Sequence, residues 1–225
     1  MRFLVMPATA LLTAALLALP VRSSTEQAAA DADWPDDDWS VAHVNEGELA
    51  FLAAPPEKAV HHHHNVITLG RSSLVDGWVR LDQCHSNIDN VPRAQIVFRA
   101  GRIRGLRITA SENIGRAWVE DASIQLNDVT DGSRLCLTAE TRALTAKEDG
   151  SFRIDNGPFM RRFLDGYYAM RVSQKIILAD SGLAFSGIEP QVQPGFAVSV
   201  SNESIDFDAW FEGRLKTKVE LIKSE

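Results

Sequence analysis

From residue 48 onward, apolar and polar side chains alternate with a period of two, the spacing at which every second residue of an extended strand shares a face. Tyr168, Met170, Val172, Ile176 and Leu178 fall on one side of such a strand and Arg171, Ser173 and Lys175 on the other; only Gln174 breaks the apolar side. Phe196, Val198 and Val200, a turn at Asn202-Glu203, then Ile205 and Phe207 predict a hairpin. Leu215, Thr217, Val219 and Leu221 alternate with Lys216, Lys218 and Glu220, which predicts a strand with one solvated face.

The same reading predicts strands over 49–53, 65–69, 78–83, 94–99, 102–110, 116–126, 134–144, 152–155 and 183–188. Closely spaced strands separated by turn residues imply an all-β chain, a single-domain antiparallel β-sandwich over residues 41–225, with immunoglobulin-like and barrel-like arrangements both open. Across Gly105 the apolar phase shifts, from Ile103 at an odd position to Leu106 and Ile108 at even ones. A β-bulge at Gly105 would absorb the extra residue. One short helical segment is expected near 158–165, opened by Pro158 and closed by Gly166, with Phe159, Phe163 and Leu164 turned to the core. The aromatic groups and paired arginines of 156–168 also suit a binding loop.

The segment before residue 48 has a different character. Arg2, an apolar stretch from Phe3 to Leu19, Pro20 and then small residues follow the order of a secretory signal peptide over 1–23. Residues 24–40, with Asp31, Asp33, Asp36, Asp37 and Asp38, read as an acidic, flexible tail. The expected location is therefore the periplasm or the extracellular space, with no transmembrane segment in the mature chain. The formal net charge is −7, and removal of Arg2 and Arg22 takes it to −9, which argues against nucleic acid as a partner.

Export gives the two cysteines a meaning, because an oxidising compartment favours disulfides. Alternation puts Cys84 with Arg80 and Asp82, and Cys136 with Arg134 and Thr138, so both sulfurs face away from the apolar sides and are expected to pair.

The concentrated candidate chemistry is His61 to His64. In a strand, His61 and His63 share one face with Ile67 and Leu69, while His62 and His64 share the other with Val66 and Thr68. Two neutral imidazoles on one face, with a third from elsewhere, would suit zinc, copper or nickel. The candidate set is His62, His64 and His85, with His43 a further donor. A histidine-rich approach to a strand, holding no ion, is the simpler alternative.

Arg99, Arg102, Arg104 and Arg107 form a second candidate group, placed by the bulge on one sheet face where forked guanidinium contacts would recognise an anionic ligand, a glycan or an acidic protein partner. Catalytic signatures are absent: no nucleophile elbow, phosphate loop or zinc-protease helix motif occurs. The expectation is thus an exported soluble binding or accessory protein, metal-linked through the histidines. Its alternatives are a small metal-dependent hydrolase or oxidoreductase using those histidines, and a structural accessory of the cell envelope.

Overall fold

Two sheets with apolar inner faces and a separate two-stranded ribbon make up the structure, a computed structural model that describes residues 45–178 and 180–224. The expected signal peptide (1–23), the acidic tail (24–40) and His43 lie outside the described residues. In chain order the strands are β1 Ala50–Phe51, β2 His62–Thr68, β3 Trp78–Ser86, β4 Val91–Val97, β5 Ile103–Glu120, β6 Ser123–Arg142, β7 Leu144–Ala146 and β8 Phe152–Phe159. They continue with β9 Arg161–Phe163, β10 Gly166–Tyr168, β11 Met170–Ile177, β12 Leu183–Glu189, β13 Phe196–Val200, β14 Ser204–Glu212 and β15 Leu215–Lys223.

The larger sheet runs β1-β14-β11-β2-β3-β6-β4, with β13 also on β14 and β5 also on β6; the smaller runs β12-β15-β8-β7. Neither closes on itself, so the arrangement is a sandwich rather than a barrel. Pairing is antiparallel with one exception, β2 against β11, which are parallel. All the chain from β3 to β10 lies between those two strands, ample for the crossover that a parallel pair requires.

Alternation decides what lies between the sheets. Ile205, Phe207, Ala209 and Phe211 of β14 pack inward against Leu215, Val219 and Leu221 of β15, and all are buried. Each such large side chain contributes about 1.5–3 kcal/mol through removal from water. A second apolar cluster, built on Ile124, Leu126, Leu135 and Leu137 of β6, is covered by β4 and β5.

The expected bulge is present: register shifts between Arg104 and Arg107, and Gly105 takes a φ of 63°. Two local expectations differ. The chain does not run straight through 116–126 but reverses at Asp121-Ala122, with Glu120 opposite Ser123. Asp121 takes a φ of 51°, a conformation that aspartate tolerates better than most residues. Nor is 158–165 helical. It is the end of β8 followed by a hairpin of β9 and β10, and the short helix of the described chain is instead α1, Ser73–Asp76.

Long-range partners explain the hairpin. Arg161 forks onto Asp89 (Nη2–Oδ1 2.5 Å) and the Tyr167 amide donates to the Asn45 carbonyl at 3.0 Å, while within the hairpin the Tyr168 hydroxyl donates to Asp165. A helix this short has too few internal bonds to compete with them.

The chain changes sheet at two tight corners. Only Ala143 separates β6 of the larger sheet from β7 of the smaller, and Gly213-Arg214 join β14 to β15. At Gly213 (φ 82°) any β-carbon would run into the Glu48 carbonyl, so the second corner depends on glycine.

Cys84 and Cys136 stand directly opposite each other on β3 and β6 and form a disulfide, on the face away from Leu81 and Leu137. The bond closes a loop with a sequence separation of 52 residues. The double variant Cys84→Ala/Cys136→Ala is expected to lose about 2–4 kcal/mol of stability, seen as a lower urea midpoint. An unchanged midpoint would show that strand pairing alone holds this part of the sheet.

Candidate functional site

The histidine run enters the sheet at His62, and the ladder then assigns each imidazole a face. His63, Asn65 and Ile67 point between the sheets, where the His63 ring meets Phe159 of the smaller sheet edge-on at 5.0 Å. His62 and His64 point outward. Their Nε2 and Nδ1 atoms lie 2.7 Å and 2.8 Å from the Ser173 hydroxyl on neighbouring β11. Beside them, Arg171 forms an ion pair with Asp208.

His85 faces inward, because Cys84 before it faces outward. The set His62, His64 and His85 is therefore divided between opposite faces of the sheet and does not converge. The odd-numbered pair meets His85 instead: His63 stands opposite it with ring centroids 4.3 Å apart, and His61 Nε2 is 3.0 Å from His85 Nδ1.

One tautomer assignment satisfies the inner contacts. The Gln83 amide donates to His85 Nε2 at 2.6 Å, His85 Nδ1–H donates to His61 Nε2, and His63 Nε2–H donates to Asn65 Oδ1 at 2.9 Å. All three rings are then neutral. Burial lowers His61 to a pKa of about 4, helped by Arg161 and opposed by Asp89. It lowers His63 to about 3, with His61 adding to the effect, and takes His85 well below its ordinary value.

The His61 and His85 rings stack with centroids 5.2 Å apart, and the His63 ring is tilted against His85. Among the described residues no group of three or more His, Cys, Asp or Glu side chains is placed to hold a metal ion. Ser173 also lacks the setting of a nucleophile. It sits in mid-strand with neighbours on both sides, where the backbone N–H groups serve the ladders rather than an oxyanion.

Behind the histidines lies a row of amides. Gln174, Asn65 and Gln83 are cross-strand neighbours on β11, β2 and β3, all facing inward and all 5% exposed or less. The smaller sheet contributes Asn156 and Thr217, which are also paired in register. Within this layer the side-chain nitrogens of Asn156 and Gln174 and the Thr217 hydroxyl are buried and have no hydrogen-bond partner among the described residues. Each such group costs about 1–3 kcal/mol when left unpaired.

The layer borders a cavity of about 620 Å³ at the Ala143 corner, where the sheets part. His63, Asn65, Gln83 and Asn156 give it polar groups, and Ile67, Leu81, Ile96, Phe98, Ile103 and Phe159 give it apolar walls. Arg99, Arg102, Arg142 and Arg153 line it as well, and its single carboxylate, Asp155, is bonded to Arg153 at 2.9 Å.

This placement also divides the expected arginine face. Arg99 and Arg102 reach the cavity, whereas Arg104 pairs with Glu140 at 2.8 Å and lies over Trp78, and Arg107 stands opposite Thr138 on the outer face. The bulge does align Arg104 with Arg107, but Arg102 precedes β5 and belongs to the turn beside the cavity. Arg142, Arg153 and the amides were not among the sequence candidates. Their signal was phase: Asn65, Gln83, Asn156, Gln174 and Thr217 are polar residues at positions where alternation calls for apolar ones.

The neutral histidines make stability depend on pH. The unfolded chain takes up protons near pH 6.5, whereas folded His61 and His63 do so only near 4 and 3, so acidification favours unfolding throughout that interval. Stability is expected to be fully present above pH 6.5 and to fall by up to about 1.4 kcal/mol per pH unit for each histidine as pH drops toward 4. Urea midpoints at pH 7 and pH 5 test this, and equal midpoints would contradict neutral burial. Comparison with protein-family models, curated proteins and solved structures finds no match for the chain, which leaves the chemistry of the cleft as the guide to function.

Proposed function

We propose that this chain is an exported, non-catalytic binding protein that takes a small molecule into the cleft between its two sheets. The observation that carries this reading is the cavity between the sheets, whose lining sets polar groups of His63, Asn65, Gln83 and Asn156 among apolar walls. About 620 Å³ is within the range of small-molecule sites, and the mixture of apolar walls with a few polar groups is typical of them.

Binding is favoured over catalysis by the state of the polar groups. His63 is bonded to Asn65 and Gln83 to His85, and the one carboxylate among the lining residues is held by an arginine. A general acid or base needs a proton that can move at working pH, and His63 is held neutral far below it. Export is supported by the apolar N-terminal segment followed by small residues, and the disulfide is compatible with an oxidising compartment.

The test is titration with N-phenyl-1-naphthylamine, a neutral fluorescent probe. Saturable one-to-one binding is expected, weakened at least about tenfold by Ala143→Phe, which fills the cavity, and unchanged by His62→Ala on the outer face. Thermal melts of each variant establish that it is folded. Absence of saturable binding, or binding indifferent to Ala143→Phe, would remove the proposal.

A further inference from the structure

We infer that the cleft selects organic anions with an apolar body, held by the arginines at its mouth; this rests on the cleft being a binding site. The lining runs from buried amides to exposed guanidinium groups: Asn65 and Gln83 are 5% and 4% exposed, whereas Arg99 and Arg142 are open to solvent. The inner end is therefore neutral and the outer end cationic.

What distinguishes these arginines is how they are held. Arg102 donates through Nε and Nη2 to the Arg142 carbonyl at 3.0 Å and 2.6 Å, and Arg142 Nε donates to the Asp76 carbonyl at 3.0 Å. Neutral carbonyls fix the direction of both groups without cancelling their charge. Among the described residues neither they nor Arg99 form an ion pair, and of the four only Arg153 does, with Asp155.

Elsewhere Arg80, Arg104, Arg134 and Arg171 each have a carboxylate partner, whereas Arg93, Arg107, Arg116 and Arg162 form no ion pair among the described residues but are spread over β4, β5 and β9. A chain of net charge −7 gathers three guanidinium groups without an ion-pair partner at one opening. Guanidinium forks bind carboxylate, sulfonate and phosphate oxygens through paired hydrogen bonds, and a concave cationic site draws anions to it. Ile96, Phe98, Ile103 and Phe159 offer nothing to a bare inorganic anion, but they cover the body of an amphiphile.

Two probes with the same body separate charge from shape. 8-Anilinonaphthalene-1-sulfonate is N-phenyl-1-naphthylamine with a sulfonate added. With the intact chain at low salt, the anionic probe is expected to bind about tenfold or more tightly than the neutral one, with the gap narrowing as salt rises. Arg99→Gln/Arg102→Gln should abolish the gap while leaving the neutral probe's affinity as it was.

If the neutral probe saturates and the sulfonate gives no advantage, the anion selection is wrong and the cleft survives as a binding site. If neither probe saturates, both readings fail. Equal weakening of both probes in the arginine variant would mean that the arginines only shape the opening, and would overturn the inference.

Discussion

Strand β2 lies between β11 and β3, hydrogen-bonded on both sides, and has no freedom to turn a residue over. That constraint forces His63 and Asn65 between the sheets once Ile67 and Leu69 are buried there. Polar side chains trapped in this way must find partners from their neighbours on the same face, and the neighbours are chosen by register. Gln174, Asn65 and Gln83 line up across three strands, as do His63 and His85 across two. The polar layer is thus a property of the pairing, and a slip of one residue in β2 would take His63 and Asn65 out of it together.

The layer lies close to where the two sheets part. Passing from β6 to β7 with only Ala143 between them, the chain leaves one sheet and joins the other, and the space beside this corner is the cavity. On the larger sheet the polar demand is met largely by His63–Asn65 and Gln83–His85 contacts. On the smaller sheet Asn156 retains an unpaired amide nitrogen. An all-apolar layer would pack without that cost, so the unpaired donor is a liability for the fold.

Much of the architecture was legible in the chain. The alternation in 170–178, 196–207 and 215–222, the turn at Asn202-Glu203, the bulge at Gly105 and the outward phase of both cysteines all depend on local period and turn chemistry, which neighbours along the sequence determine. Tyr168, by contrast, falls in β10 and is exposed rather than on the apolar face of β11. The hairpin at 161–168 depends on Asp89 and Asn45, residues far away in the chain, so its helical appearance could not be corrected locally. For the histidines, phase alone already placed His85 opposite Cys84 and hence with His61 and His63; nearness in sequence pointed instead to His62 and His64. The arginines at the cavity come from a turn, the end of β6 and β8, and only the corner at Ala143 brings them together.

Charge and burial in the cleft are graded in a way that restricts what it can hold. An ion moved to the depth of Asn65 and Gln83 would lose most of its water and meet neutral partners, a poor exchange that costs several kcal/mol. Kept at the level of Arg99 and Arg102, it stays partly hydrated and meets fixed guanidinium donors. The neutral state of His61, His63 and His85 preserves this gradient, since a charged imidazole at the inner end would draw the anion past the arginines and leave its body in water. In the proposed site, neutral histidines at the inner end and arginines without ion pairs at the mouth would together orient an amphiphile with its anion outward and its body against Phe98 and Phe159.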